Sequence, residues 1–249
     1  MIEIRGLHKA LGGKPVLRGV DLVVPEGATY AVIGGSGAGK SVLLKHIVAL
    51  MRPDAGDVWV DGERVGALDR EALVRVRAKV GYVFQGAALF DSMTVAENIT
   101  MGRVGPDFRP VPGPPDPEAV AHCLRIVNLD RAVMHLMPAE LSGGMRKRVG
   151  VARAVASRRE YLLYDEPTTG LDPVTSDVIN RLIRDLDQRL GVTSVVVTHD
   201  MKTVFAVADR VALLHEGRIH WSGTPAEMSE AADPVVRSFV EGRADLLAV

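Results

Sequence analysis

The sequence predicts an α/β domain built around a mainly parallel sheet. Apolar runs of strand length alternate with stretches of helical periodicity, the runs at residues 30–33, 161–164 and 193–197 and the helical stretches at residues 118–129, 144–157 and 176–190. Strands that alternate with helices favour a parallel sheet, because each helix carries the chain back to begin the next strand. The 249 residues, 47% of them apolar, are enough for one large core.

Composition argues against two classes of protein. The formal net charge of −1 disfavours a protein that binds nucleic acid by bulk phosphate attraction, so no nucleic-acid partner is predicted. No signal peptide is recognisable at the N-terminus, and no run approaches the roughly 18 apolar residues of a membrane span. The one cysteine, Cys123, cannot form an internal disulfide, as expected in a reducing compartment. We therefore expect a cytoplasmic protein that reaches a membrane only through a partner.

Three shorter segments have predictions of their own. An apolar run at residues 58–60 followed by Asp61 and Gly62 indicates a hairpin with a type I′ turn. Residues 104–117 hold six of the 14 prolines, which predicts an extended connector; a proline-rich ligand for a recognition domain is the alternative. Residues 234–249 favour a short helix followed by an apolar end.

A phosphate-binding loop is predicted directly after the strand at residues 30–33. It matches the pattern G-x-x-x-x-G-K-[ST] with Gly34, Gly35, Ser36, Gly37, Ala38, Gly39, Lys40 and Ser41. The glycines let backbone N–H groups curl around an anion, and the helix that begins there adds unpaired N–H groups and its dipole. Lys40 has the reach for the β- and γ-phosphates of ATP, and the Ser41 hydroxyl suits Mg²⁺. A simple glycine-rich turn is the alternative.

Two carboxylates end the apolar strand at residues 161–164. Asp165 would hold Mg²⁺, directly or through water, because hard cations prefer oxygen ligands. Glu166, one residue on, points the other way and would polarise the attacking water. The alternative is a solvated acidic strand end without chemistry.

A second glycine-rich helix start lies at Ser142, Gly143 and Gly144. Ser142 is a natural N-cap, and the two glycines expose backbone N–H groups at the start of the helical stretch. The chain therefore has two candidate phosphate-binding ends. The basic residues that follow are predicted to lie on a solvated helix face rather than to bind a ligand; they are Arg146, Lys147, Arg148 and Arg153.

These motifs together resemble the ABC transporter ATPase family, whose signature is LSGG followed by Gln or another residue, here residues 141–145. The resemblance includes Gln85, Asp172 and His199, each in the family's order along the chain. It covers nearly all of residues 1–230 and leaves 231–249 as a C-terminal tail. It implies an α/β P-loop NTPase fold with a RecA-like core, an antiparallel β subdomain and an inserted α-helical signature subdomain at about residues 88–158.

The resemblance also implies that two copies sandwich two ATP molecules head to tail. Each phosphate loop would face the signature of the other copy. Ser142, Gly143 and Gly144 would then contact the γ-phosphate bound by the partner copy. Asp172 would lie at the seam of the dimer.

Within one copy, the resemblance assigns further roles. His199 would hold the γ-phosphate and the attacking water. Gln85 would sense Mg²⁺ beside Ser41 and Asp165, and relay to a membrane permease. Family members usually place an aromatic residue against adenine, and the corresponding residue here is Leu11. Leucine supplies apolar contact without ring stacking, which is worth about 0.5–1.5 kcal/mol between aromatic rings beyond burial.

Two segments narrow the class of transporter. Residues 86–99 and residues 136–140 resemble the ATPases of Mla/Mkl-type phospholipid transporters. That resemblance implies a permease and a mammalian-cell-entry-type lipid-binding protein as partners, with the ATPase on the inner face of a bacterial cell membrane. The alternatives are the ATPase of an amino-acid or drug transporter, and a soluble ABC ATPase of DNA repair or translation. The single cassette, the single cysteine and the lack of sustained heptads argue against the last.

Overall fold

The computed structural model describes residues 1–105, 107–111 and 113–243. The strands in this part of the chain are β1 (Ile2–Leu11), β2 (Lys14–Val24), β3 (Thr29–Ile33), β4 (Ala55–Val60), β5 (Glu63–Arg64), β6 (Val80–Val83), β7 (Tyr161–Asp165), β8 (Thr193–Thr198), β9 (Arg210–His215) and β10 (Arg218–Gly223). They form two sheets. An antiparallel sheet has the order β2-β1-β4-β5, and a six-stranded sheet has the order β10-β9-β3-β8-β7-β6.

The larger sheet is mainly parallel, as predicted. Strands β9, β3, β8, β7 and β6 all run in one direction, and only β10 pairs antiparallel, with β9. Helices α1 to α7 lie between strands along the chain, and α8 and α9 follow β10; their bounds are α1 (Lys40–Ile47), α2 (Arg70–Lys79), α3 (Val95–Thr100), α4 (Pro117–Ile126), α5 (Gly143–Ala154), α6 (Pro173–Leu190), α7 (Met201–Val207), α8 (Pro225–Ser229) and α9 (Pro234–Glu241). Within the described ranges, no helix has the length and apolar character needed to cross a membrane.

The hairpin between β4 and β5 confirms the turn predicted at Asp61 and Gly62. Both residues have positive φ, 52° and 78°, as a type I′ turn requires. Trp59 pairs with Arg64 and Val60 with Glu63 on either side of it. The antiparallel sheet therefore forms a separate layer, as the family resemblance implied.

Helices α3, α4 and α5 lie between β6 and β7 along the chain and pack against one another. This is the part of the chain where the signature subdomain is expected. Buried apolar residues of all three helices belong to one cluster with Leu162 and Tyr164 of β7. The predicted connector before α4 makes one bridge, between Val104 and Pro110, and Asp116 caps the helix that follows. Pro106 and Pro112 of this connector lie outside the described residues.

Strand β7 of the six-stranded sheet is covered by apolar clusters on both of its faces. Leu162 and Tyr164 face the cluster under α5 and α6, and Tyr161 and Leu163 face the cluster under α1 and the antiparallel sheet. All four side chains are buried. A parallel strand covered on both faces needs a continuous apolar run, which is what the sequence has here.

The chain remains packed beyond residue 230, where the sequence placed a domain boundary. Val236 of α9 is buried in the same cluster as Met228 of α8. Asp233 caps α9 and its carboxylate lies 3.1 Å from His220 Nε2 on β10. The short helix predicted in the tail is therefore present and belongs to the packed domain. The apolar end predicted at residues 246–249 lies outside the described residues.

Candidate functional site

The parallel strands of the larger sheet end at one edge, and the candidate site residues follow those ends. Glu166 comes directly after β7, His199 after β8, and Gln85 two residues after β6. The phosphate loop follows β3. Together they line a cavity of about 600 Å³ formed by Leu11, Val16, Ser36, Gly37, Ala38, Gly39, Lys40, Ser41, Val42, Gln85, Glu166 and His199. This edge of a parallel sheet is where open α/β folds bind ligands, and the volume is ordinary for a small-molecule pocket.

The phosphate loop enters α1 through Gly39, whose φ of 104° is a conformation that residues with a Cβ rarely adopt. A Cβ there would lie 2.8 Å from Leu17 Cδ2 and 2.9 Å from Val16 Cγ1, so glycine is also required by space. Having no side chain, Gly39 does not compete for the first N–H groups of the helix. The start of α1 therefore presents free donors and the positive end of a dipole to the cavity.

Lys40 is nearly enclosed, with 7% of its surface exposed. Its Nζ donates to the backbone carbonyls of Gly34 and Gly35 at 2.8 and 3.1 Å, and lies 3.3 Å from Glu166 Oε1. A buried ammonium needs such partners, because an unpaired charge in this setting is strongly disfavoured. The three contacts hold the cation of Lys40 at the mouth of the phosphate loop.

Glu166 is buried and held from two further sides. His199 Nδ1 lies 2.8 Å from its Oε2, and the Thr169 hydroxyl donates to the same oxygen at 3.0 Å. The backbone of Glu166 has a φ of 50°, a conformation that is uncommon for residues with a Cβ and concentrated at functional sites. The Glu166 carboxylate is therefore fixed between Lys40 and the exposed His199 ring.

The side-chain oxygen atoms of Asp165 and Ser41 lie close together. The Ser41 hydroxyl donates to Asp165 Oδ1 at 2.7 Å, and Tyr82 donates to Oδ2 at 3.1 Å. Burial, followed by the nearby Asp165 carboxylate, raises the pKa of Tyr82, so the phenol stays a donor. A hydroxyl and a carboxylate are hard oxygen ligands, so this pair has the chemistry that Mg²⁺ requires. Sequence reasoning missed Tyr82, because a single tyrosine in a strand has no motif.

The apolar end of the cavity is formed by Leu11 and Val16. Leu11 is 41% exposed at the end of β1, and Val16 lies next to it on β2. The structure thus places Leu11 where a nucleobase is expected. Val16 was missed, because its closeness to the phosphate loop depends on how the antiparallel sheet meets α1.

The signature residues do not line this cavity. Ser142 is exposed and caps α5, its Oγ accepting the Met145 N–H at 3.2 Å. A Cβ on Gly144 would lie 2.5 Å from Thr175 Cγ2, so the signature packs closely against the start of α6. Asp172 caps α6 and also accepts the Thr175 hydroxyl at 2.5 Å. Ser142, Gly143, Gly144 and Asp172 therefore lie apart from the cavity in the single chain, with Ser142 and Asp172 exposed and Gly144 buried.

Comparison with known proteins identifies the family of this chain. A family model described as ABC transporter matches residues 17–169, more than half of the chain. The chain belongs to the ABC transporter family. This membership confirms the predicted P-loop NTPase fold and the predicted ATPase subunit of a transporter.

Individual relatives of this ABC ATPase subunit serve different transporters. The chain is 36% identical over 245 residues to the intermembrane phospholipid transport system ATP-binding protein MlaF of Escherichia coli (strain K12), covering 98% of this chain and 90% of that protein. It is 40% identical over 246 residues to the methionine import ATP-binding protein MetN of Rhodospirillum rubrum, covering 96% of this chain and 69% of that protein. Family membership therefore establishes the ATPase role of this chain and does not identify the transported substrate.

A solved structure shows the same fold in a dimer. The ATP-binding cassette MJ0796, in a dimeric post-hydrolysis state bound to ADP and Pi, matches with a TM-score of 0.78 at 30% identity. The match covers 90% of this chain and 99% of that one. Dimeric relatives and the transporter family support a second ATPase subunit and a membrane permease as partners of this ABC ATPase.

The basic residues of α5 correct one prediction for this ABC ATPase subunit in part. Lys147 is buried and Arg148 and Arg153 are half-buried, so of the four only Arg146 is exposed as predicted, and each of them donates to backbone carbonyls. Arg146 binds the carbonyl of Leu141, Arg148 that of Asn128, and Arg153 those of Ala87 and Ala88; Lys147 binds those of Gln85 and Glu166. Burial lowers the pKa of the Lys147 ammonium, while the Glu166 and Asp165 carboxylates act to raise it. The spacing of charged residues along a helix shows which of them share a face. It does not show which loops pack over that face.

Proposed function

We propose that this chain is the ATPase subunit of a transporter that moves phospholipid between bacterial membranes, and that it lies on the cytoplasmic face of the inner membrane. The ATPase role rests on one arrangement above all, the buried Lys40–Glu166 pair at the phosphate loop with the exposed His199 ring beside Glu166. The choice of phospholipid rests on the surface that a permease would contact. Each part has its own argument.

Hydrolysis begins with a competition for Lys40. A γ-phosphate entering the cavity carries more negative charge than Glu166 and offers the Lys40 ammonium a better partner than the carboxylate 3.3 Å away. Release of Lys40 leaves Glu166 held by His199 and Thr169. Its carboxylate is then free to accept a proton from an attacking water, which is the role of a general base.

Mg²⁺ is the metal that suits this site. Ser41 and Asp165, already joined at 2.7 Å, would hold it, with Gln85 at the cavity wall as a further oxygen donor. When bound, the ion supplies neutralisation of the charge that develops on the phosphates. Tyr82 keeps the second oxygen of Asp165 in place, so the carboxylate cannot rotate away from the ion.

A second copy of the chain would complete the site. Ser142, Gly143 and Gly144 do not line the chain's own cavity, although the start of α5 has the features of an anion site. The phosphate they bind would therefore belong to another molecule. A head-to-tail pair gives each cavity the signature of its partner and places Asp172, next to the signature, at the seam.

The permease-facing surface supports the phospholipid class. The two segments that resemble phospholipid-transport ATPases, residues 86–99 and 136–140, meet in space, where the Val95 N–H donates to the Leu136 carbonyl at 2.9 Å. Buried Asn98 organises the first segment by bonding to Phe90 at both its N–H and its carbonyl. Phe90 and Met101 are about half exposed beside a groove next to the Gln85 loop. We propose that the permease docks on this apolar groove, so that resemblance here indicates the type of permease.

Reconstitution tests the proposed substrate. The complex captured through this chain should contain a permease and a mammalian-cell-entry-type protein, and in vesicles it should transfer fluorescent phospholipid when ATP is supplied. The Glu166→Gln variant is the matched control and should transfer none. ATP-driven uptake of radiolabelled methionine without phospholipid transfer would overturn the lipid proposal and leave the ATPase role intact.

A further inference from the structure

Lys147 is a buried cation on the signature helix. Only 7% of its surface is exposed, and its Nζ donates to the carbonyl of Gln85 and, at 3.2 Å, to that of Glu166. It lies about one and a half turns after Ser142 on α5. One rigid helix therefore carries both the exposed signature and a direct contact to the backbone of two residues in the chain's own cavity.

The loop that Lys147 holds is strained. Ala87 and Ala88 have φ of 62° and 46°, in the left-handed region that residues with a Cβ avoid. Arg153 donates to the carbonyls of both alanines at 2.7 Å, and Gly150 lets Ala87 approach closely, since a Cβ there would lie 3.2 Å from the Ala87 Cβ. The position of the Gln85 loop thus depends on one face of α5.

We propose that Lys147 is a positioning residue that ties the signature of one ATP site to the catalytic carboxylate of the other. This rests on the proposed two-copy site. When the partner's γ-phosphate draws in the start of α5, the Lys147 contacts carry that movement to Gln85 and Glu166 of the same chain. The two sites then close together rather than independently.

The choice of lysine supports a positioning role. An apolar residue would fill this buried space with less desolvation cost, so the charge must be offset by the two carbonyls and the nearby carboxylates. Arg153 binds the carbonyls of Ala87 and Ala88. Lys147 adds a link that reaches past the loop to the Glu166 carbonyl.

The test is ATP-driven dimerisation in the Glu166→Gln background, which should trap ATP between two copies. Adding Lys147→Met keeps the length of the side chain and removes its donors. We expect the dimer dissociation constant, measured by light scattering or sedimentation, to rise about tenfold, as loss of one charge-assisted hydrogen bond would produce. Binding of a fluorescent ATP analogue to the single chain should change less than about twofold, because Lys147 does not line the cavity.

Arg148→Met is the matched control, since Arg148 is the next cation on α5 and binds the carbonyl of Asn128 instead. It should leave dimerisation unchanged. Equal dimerisation in the Lys147→Met and Arg148→Met variants would overturn the proposal. So would a joint loss of melting temperature, ATP binding and dimerisation, since that pattern marks a purely structural residue. If Lys147→Met does not fold, Lys147→Gln, which keeps one donor, takes its place in the same comparison.

The same set of variants distinguishes a failure of the Lys147 proposal from a failure of the two-copy site on which it rests. If the Glu166→Gln chain alone does not dimerise with ATP, the two-copy site fails, and the Lys147 proposal fails with it. If that chain dimerises and Lys147→Met has no effect, only the Lys147 proposal fails. In the assembled transporter, Lys147→Met should lower kcat about tenfold and leave KM within about twofold.

Discussion

The chain has two glycine-rich helix starts, at Lys40 and at Gly143, and they differ in their surroundings. The first opens into a cavity with Lys40 and Glu166 buried beside it, and Gly39 leaves its N–H groups free. The second lies on the surface, and Ser142 already caps one of its N–H groups. The same local physics favours an anion at both ends. Only the first is surrounded by the groups that hydrolysis needs.

This difference in surroundings indicates that the two glycine-rich helix starts have different roles. In the proposed function, the loop at Lys40 would bind and activate ATP within its own chain, and the loop at Ser142 would complete the site of a second copy. A change at the first should act within its own chain, and a change at the second should act on the partner. Four predictions test this contrast, from the largest expected effect to the smallest.

Lys40→Ala and Ser142→Arg damage the two helix starts separately, and each homodimer should lose ATP hydrolysis to background. In a mixed dimer one site carries both lesions and the other carries neither. ATPase assays on co-expressed, differently tagged chains should therefore recover up to half the wild-type rate per mixed dimer. Full activity of the Ser142→Arg variant alone would contradict the two-copy site.

Glu166→Gln keeps the size and hydrogen bonding of the side chain and removes the base. Turnover should fall by about 10²-fold or more, the range for loss of a general base. ATP should still bind. Steady-state phosphate release with the permease present measures the first, and nucleotide binding the second. Near-normal turnover would remove Glu166 from its proposed role.

Gly144→Ala and Gly35→Ala compare the two loops with the smallest possible change. A Cβ at Gly144 would meet Thr175 Cγ2 at 2.5 Å, and Thr175 cannot turn away without losing its bond to Asp172. A Cβ at Gly35 meets nothing within 4 Å. We expect kcat to fall about tenfold for Gly144→Ala and to stay within about twofold for Gly35→Ala. The reverse order of effects would show that the signature tolerates displacement.

Leu11→Tyr should tighten ATP binding by a factor of about 2 to 10, since ring stacking is worth about 0.5–1.5 kcal/mol. Leu11 lines the cavity but makes no contact with Glu166, so kcat should not change. Calorimetry with ATP on the single chain measures the affinity. Val23→Tyr, at an exposed valine of β2 that does not line the cavity, is the control and should have no effect. Unchanged affinity in the Leu11→Tyr variant would mean that the base lies elsewhere.

Local patterns predicted the turns, the helix starts, the phosphate loop and the two carboxylates after β7. Four other site residues were named through the family resemblance instead, namely Gln85, Asp172, His199 and Leu11. The hairpin at Asp61 and Gly62 and the cap at Ser142 each depend on neighbours within a few residues, so sequence alone is enough for them. Lys147, Tyr82 and Val16 needed the structure. Their partners lie far along the chain, and their residue types are as common on ordinary helices and strands.

The same limit applies to the residues after 230. They have no motif, so the sequence does not show how they pack. Val236 is buried only because α9 folds back onto the cluster that also holds Met228. A helix of eight residues carries too little pattern to show that it will be covered.

The pairing of Lys40 with Glu166 bears on how the cycle ends. One ammonium cannot serve a γ-phosphate and a carboxylate equally, so each turnover should return Lys40 to Glu166 once the γ-phosphate has left. That return competes with the remaining diphosphate for the same cation. The return of Lys40 to Glu166 should therefore weaken binding of the diphosphate. In the same step it pairs the Glu166 carboxylate, which then cannot act as a base until another ATP binds.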